Sequence, residues 1–297
     1  MRFLEQSHEI LEQFTNINEA SSKDEILDSI FRHIELAGRT CYKSMDKITT
    51  DSAKPFVERL ERSKHYAMLE HGTVYLYIEV DSPLVDKDYL SKADIVLNYI
   101  KNPYSKVKRV DNQTMTGYYA FITTNYRVIK ENGWEEDLKY ICAPRKEHYK
   151  RHCVKVITNL QVSHEIVRHR KFSYAMESSR YCNYSKDKFG KELTFIMPSW
   201  NMSFGMHSQF IKCLGEIEKT YFAAIEDGWK PQEAATFLPK ATKTEIIISG
   251  FESDWDFFFR LRSDIAETGK PHPQMEELVN PIRDEFFALG WTRIEKQ

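Results

Sequence analysis

Arg168, His169 and Arg170, followed by Ser178 and Arg180, are the densest set of side chains in this sequence that could do chemistry together. Residues 164–191 carry seven Lys or Arg against three acids (Glu165, Glu177 and Asp187), although the whole chain has a formal net charge of −2. Guanidinium forks beside a hydroxyl suit a phosphate, each charged hydrogen bond contributing roughly 1.5–3 kcal/mol before solvent exposure is discounted. Arg168 and Arg170 converge from an extended backbone but diverge by about 200° on a helix, so a shared anion requires the helix to end near them. A solvated basic loop has the same composition, and the residues alone leave both readings open.

Other chemistries are excluded by spacing. No two of the 11 glycines form a G-x-G, and neither Gly190-Lys191 nor Gly269-Lys270 has a glycine five positions before it, so Rossmann and Walker signatures are absent. His164 and His169 flank a zincin-like string, yet they are five apart, about 140° around a helix, where H-E-x-x-H places its pair about 40° apart. No metal is expected. The five cysteines (Cys41, Cys142, Cys153, Cys182, Cys213) are odd in number, scattered and without a C-x-x-C, which predicts reduced thiols rather than disulfides or a zinc site.

The elements that must position this cluster read as one large mixed α/β domain over residues 1–297. A 41% apolar fraction, with 18 Phe, 16 Tyr and 5 Trp, supports a packed core, and 11 Gly with 10 Pro is too few for a low-complexity chain. Ser22-Lys23-Asp24-Glu25 is a capping box for a helix whose apolar face runs Ile26, Leu27, Ile30, Phe31, Ile34, with an end expected near Gly38. Residues 55–69 read as a second helix and 72–80 as a strand, while 81–118, polar and lysine-rich, reads as an inserted excursion. Strand-like runs return at Tyr119–Thr124 and Val154–Ile157, and residues 162–170 and 207–228 read as helices. Lys243–Ser249 suits either a strand or a buried helix, and Trp255–Leu261 is an aromatic run expected in the core. No run approaches the roughly 18 apolar residues of a membrane span, and the first residues, MRFLEQSHEILEQF, carry acids where a signal peptide is apolar; a cytoplasmic protein without a membrane partner is expected. The negative net charge argues against a nucleic acid polymer as partner.

The string Arg168-His169-Arg170-Lys171-Phe172-Ser173-Tyr174-Ala175-Met176-Glu177-Ser178-Ser179-Arg180-Tyr181 resembles the R-H-R-x-x-S-x-x-x-x-S-x-R-Y signature of flavin-dependent thymidylate synthases. Residues 37–44, Leu69-Glu70-His71, residues 160–165, Leu238-Pro239, residues 243–245, Leu261-Arg262 and residues 272–275 extend the likeness. The resemblance implies a mixed antiparallel sheet flanked by helices, assembled as a homotetramer with active sites shared between subunits. It implies reductive methylation of dUMP to dTMP, with methylenetetrahydrofolate giving the carbon, NADPH reducing FAD, and reduced flavin delivering hydride without an enzyme nucleophile. It places His71, Thr73, Arg168, His169 and Arg170 at the flavin, and Glu165, Arg168, Glu177, Ser178, Ser179 and Arg180 at the nucleotide. It makes Arg262 the catalytic charge beside the pyrimidine. By residue type alone Arg262 is also an ordinary surface arginine, and His71 a core histidine.

Four positions depart from the family pattern. Ala235 stands where an arginine usually helps hold the nucleotide, and Phe251, Ser253 and Phe257 stand where polar or basic residues usually surround the flavin. Lys240 or Lys243 is a candidate replacement for the missing guanidinium. The departures keep two alternatives open: an enzyme of the same scaffold that methylates another pyrimidine nucleotide, and a noncatalytic nucleotide-binding relative.

Overall fold

In the computed structural model, residues 1–84, 86–112 and 117–294 are described, and local sequence signals set where their elements begin. Strands β1 (Arg2–Leu4) and β2 (Ser7–Ile10) precede helix α1 (Lys23–Tyr42). The capping box forms, the Ser22 N–H and hydroxyl donating to the Glu25 carboxylate at 2.7 and 2.8 Å. Gly38 does not end the helix as expected. It lies inside α1 because a Cβ there would sit 2.5 Å from Cζ of Phe56, on α2 (Ala53–Arg62). The helix stops instead where Lys43 takes a left-handed φ of 49°. The Lys43 N–H then donates to the Thr40 carbonyl at 3.3 Å and the Ser44 N–H to the Arg39 carbonyl at 3.0 Å, the Schellman closure that glycine usually makes. Helix α2 ends short of residue 69 for a related reason: Lys64 has a φ of 55°, and residues Tyr66–His71 tighten into a 3₁₀ turn.

Next come β3 (Thr73–Val80), α3 (Tyr89–Lys101), β4 (Lys106–Asp111), β5 (Tyr118–Asn125) and α4 (Tyr126–Asn132). The strands form an antiparallel sheet of order β3-β5-β4, with Thr73 opposite Asn125 and Val80 opposite Tyr118. The stretch read as an excursion thus supplies α3 and an edge strand, its residues 85 and 113–116 lying outside those described. Strand β4 carries Lys106, Lys108 and Arg109, the charged side chains that keep an open edge from pairing with another chain, and for that reason it shows no apolar period.

The rest of the chain runs β6 (Arg151–Asn159), α5 (Leu160–Ile166), β7 (Ser173–Met176), β8 (Thr194–Ile196), α6 (Phe204–Glu226), α7 (Pro231–Ala234), β9 (Lys243–Phe251), α8 (Glu252–Arg262) and α9 (Pro273–Ala288). Lys243–Ser249 is therefore strand. A four-stranded sheet has the order β2-β6-β9-β7, antiparallel at β2·β6 and β7·β9, and β1 pairs with β8 in parallel. Antiparallel sheets flanked by helices make this a mixed α/β fold, as the sequence reading expected. No helix among the described residues is long and apolar enough to cross a membrane.

The chain divides into two compact units. The first comprises residues 1–10, 39–44 and 154–297, and the second residues 11–38 and 45–153. In the second, Ile30 and Ile34 of α1 and Phe56 of α2 are buried with Leu76 and Ile122 of the sheet. In the first, Val154, Val156, Ile246 and Ile248 are buried with Trp255, Phe258 and Phe259 of α8 and Ile282 and Phe286 of α9. Each unit draws on separated stretches of chain, so no linker composition marks the division.

Gly250 of β9 fixes the approach of the signature to this core, since a Cβ there would lie 2.3 Å from Cδ1 of the buried Phe172 ring. Gly250→Ala is expected to destabilise the protein by about 1–3 kcal/mol through overpacking, read as a lower midpoint in guanidinium unfolding.

Candidate functional site

The signature begins where α5 stops. Asn159 accepts a hydrogen bond from the Val162 N–H at 2.9 Å and so starts the helix; at its other end the chain turns through residues 167–172. The Tyr174 hydroxyl lies 2.7 Å from both the Ile166 and His169 carbonyls and shares its single proton between them, pinning that turn. Because the helix ends at Ile166, Arg168 and Arg170 leave it before helical divergence applies, and both are exposed.

Arg262, the last residue of α8, is brought to this turn. Its Nε donates to His169 Nε2 at 3.0 Å and its Nη1 to Glu165 Oε2 at 3.2 Å, while Gln161 Nε2 donates to the other Glu165 oxygen at 3.2 Å. An imidazole nitrogen that accepts carries no proton, so His169 is neutral with its hydrogen on Nδ1. Burial, and then the Arg262 charge, push its pKa down to about 4. The His169 ring also meets the Phe258 ring edge-on, with centroids 4.8 Å apart. Glu165, His169 and Arg262 thus form one rigid group, with the guanidinium held on two sides.

The second half of the signature wraps the end of α1. Ser178 N–H donates to the Cys41 carbonyl at 3.0 Å, the Tyr42 and Tyr181 rings lie 5.3 Å apart, and Lys188 Nζ donates to the Lys43 carbonyl at 2.9 Å. Ser179 and Arg180 are exposed, and Arg180 sits over the Tyr181 ring at 5.5 Å. Glu177 is placed differently from its neighbours: it is buried, accepting from the Tyr184 hydroxyl at 3.0 Å and from Lys243 Nζ at 2.9 Å. Lys243 is also bound to Glu245, so its ammonium is held between two carboxylates. Sequence reasoning missed this ion cluster. The available signal was Lys243 and Glu245, two apart on a strand and therefore on one face; the partners Glu177 and Lys43 are distant in sequence.

His71 and Thr73 belong to the other unit. His71 is fully buried at the end of its 3₁₀ turn, and Thr73 opens β3. Gln13 brackets Thr73, accepting from its N–H at 2.8 Å and donating to its carbonyl at 2.7 Å, and Arg151 Nη1 donates to its hydroxyl at 3.3 Å. Of the four departures, Ala235 lies in a 3₁₀ turn, Phe251 is buried, and Ser253 and Phe257 are exposed. The Phe257 ring lies 6.4 Å from that of His169, so an apolar surface flanks the Arg262 group.

Arg168 and Arg170 are exposed, and guanidinium groups so placed are donors suited to a phosphate or carboxylate. Among the described residues, no group of three or more His, Cys, Asp or Glu side chains could hold a metal ion. Burial pushes the thiols of Cys41 up to about 12 and of Cys142 and Cys182 up to about 11, so these three stay protonated at neutral pH.

The neutral His169 makes a pH-dependent prediction. Between its ordinary 6.5 and about 4 the unfolded chain binds a proton that the folded chain refuses, so its contribution to stability is complete above pH 6.5 and is lost as the pH falls toward 4. In an NMR titration the His169 ring should protonate only near pH 4. Arg262→Met should move that midpoint upward but leave it below 6.5, because burial is the larger cause.

Residues 146–288 match the family model described as thymidylate synthase complementing protein. The flavin-dependent thymidylate synthase of Pyrococcus furiosus is 28% identical over 177 residues, covering 56% of this chain and 69% of that protein. The enzymes of the same name from Pyrococcus abyssi and Geobacter sulfurreducens are 29% and 31% identical over 101 residues, and the match spans only 41% and 42% of their lengths. Among solved structures, the UMP/dUMP methylase PolB of Streptomyces cacaoi bound with 5-Br dUMP aligns over 97% of this chain and 93% of its own, at 12% identity and a TM-score of 0.44. The whole signature, residues 168–181, and Arg262 lie within the residues that match the family model.

Proposed function

We propose that this protein is an enzyme that methylates dUMP to dTMP, with methylenetetrahydrofolate as carbon donor, FAD as cofactor and NADPH as reductant. The observation that carries the reading is the Arg262 guanidinium, held by Glu165 and His169 beside the signature. Methylating a pyrimidine carbon requires negative charge to develop on the ring and its carbonyl oxygens. A fixed guanidinium stabilises that charge without reorganising at the moment of reaction. Glu165 and the neutral His169 orient it: the carboxylate takes one nitrogen and the imidazole another, leaving the remaining N–H groups for a substrate.

Arg168, His169 and Arg170 would contact the flavin, which supplies hydride when bound, and His71 and Thr73 are proposed as flavin contacts of their own unit. Ser178, Ser179 and Arg180 would receive the nucleotide phosphate. In this reading the enzyme works in the cytoplasm as a homotetramer with shared active sites. Arg262 is kept while Ala235 and Phe251 replace polar positions, which favours a second reading, in which the same scaffold methylates a different pyrimidine nucleotide.

Mass spectrometry after incubating the protein with FAD, NADPH, methylenetetrahydrofolate and, separately, dUMP, UMP or dCMP tests both. A methyl group on dUMP alone is the expected result; methylation of UMP or dCMP instead selects the second reading. No methylation together with no retained flavin overturns both and leaves a noncatalytic binding role. Arg262→Ala is expected to lower the methylation rate by about 10²–10³-fold at saturating nucleotide, with circular dichroism unchanged.

A further inference from the structure

A cavity of about 510 Å³ lies wholly inside the second unit, between residues 12–21 and one stripe of α1. The stripe carries Glu25, Asp28, Ser29, Arg32, His33 and Leu36, three or four residues apart and therefore neighbours on the helix surface, while Ile26, Ile30 and Ile34 beside it face the core. The volume is that of a small-molecule site, but the wall is unusual for one, because Ile17 and Leu36 are its only apolar residues. The wall is also preformed. The Ser29 hydroxyl donates to the Gln13 carbonyl, and the Gln13 side chain is held at both ends by the Thr73 backbone.

Core packing does not account for His33. It is 5% exposed and lines the cavity, yet its imidazole makes no hydrogen bond among the described residues, and a buried polar group without a partner is costly. Burial, and then the charge of Arg151, push its pKa down to about 4, so at neutral pH one ring nitrogen is an acceptor. The charges around it do not cancel. Arg32 is spent on Asp28 at 2.6 Å and on the Thr50 carbonyl at 3.5 Å. Glu25 accepts from the uncharged donors of Ser22, and neither it nor the exposed Glu12 pairs with a cation among the described residues. Three carboxylates therefore face one guanidinium, and with His33 neutral the wall carries a net −2. What the wall lacks is positive charge and N–H donors. Its carboxylates and His33 do not form a group that could hold a metal ion, so the negative charge is spread along the wall, where an elongated organic ion answers it better than a point charge.

We propose that this cavity is a second small-molecule site, built without any residue of the signature, and that it binds a short aliphatic diammonium ion whose N–H groups are received by Glu12, Glu25 and the His33 ring. Two ammonium groups match the net charge of the wall, and a flexible aliphatic chain between them needs no apolar pocket. The inference stands apart from the methylation reading, since it uses no substrate of that reaction.

Calorimetric titration of the full chain with putrescine, butanediol and succinate tests it, these being chains of equal length that end in ammonium groups, hydroxyls and carboxylates. Putrescine should bind at least about tenfold tighter than butanediol, and succinate should not bind. Glu12→Gln lies at an exposed loop position and Glu25→Gln keeps a residue that completes the capping box, so both should fold as the wild type does. Each should weaken putrescine by about three- to tenfold, and the two together by more. In NMR spectra of the histidine rings, the His33 signals should move when putrescine is added and stay fixed with succinate. Putrescine that binds no tighter than butanediol overturns the proposal, as does equal putrescine affinity in the wild type and the double variant, or a His33 signal that putrescine leaves unmoved.

Discussion

A guanidinium can be kept half-buried and motionless only if acceptors take its protons in its own plane, and the first unit is arranged around meeting that demand for Arg262. A carboxylate alone would hold one edge and let the group pivot. The second acceptor is an imidazole, and it can accept only while uncharged, so the environment of His169 must refuse a proton. Burial against Phe258 and the charge of Arg262 itself provide that refusal. The arrangement is self-consistent: the arginine helps keep neutral the ring that holds it. It also sets the surroundings, because the turn that presents His169 must end α5 early, and the Tyr174 hydroxyl must then hold two carbonyls that the helix no longer satisfies.

The signature therefore works as two mechanical halves. Its first half, through Tyr174, is fastened to the core by Phe172 against Gly250 and by the strand pairing of β7 with β9. Its second half, from Glu177 onward, is fastened electrostatically to the end of α1. Packing gives the first half precision. The second half is held by buried ion pairs and a tyrosine hydroxyl, Glu177 accepting from Lys243 and Tyr184.

Much of this was legible in the sequence, for reasons that differ by element. The capping box at Ser22, the strand beginning at Thr73 and the aromatic core of α8 follow from local pattern, and the structure contains them. The helix read over residues 162–170 stops at Ile166, because the chain turns there and the Tyr174 hydroxyl takes the Ile166 and His169 carbonyls, a contact no local pattern signals. Gly38 was misread as a stop because the signal for its true role, the Phe56 ring, lies on a different helix. Strand β4 was hidden by the charges that protect a sheet edge. The grouping of Glu165, His169 and Arg262 spans nearly a hundred residues; the resemblance named the three separately and did not join them, and the Lys43 cluster, assembled from four separate stretches, was not reached at all.

The discontinuous composition of the two units has a consequence for synthesis. A ribosome completes residues 11–153, and with them every stretch of the second unit, before it has made β7, β8, β9, α8 or α9. At about 5–20 residues per second, residues 1–10 and the end of α1 wait roughly 10–30 s for the partners they need. During that interval β6, once paired with β2, presents an open edge where β9 will add, and β1 has no partner until β8 is made. The stretches of the second unit are thus complete while the four-stranded sheet of the first still lacks β9, the strand that joins β6 to β7.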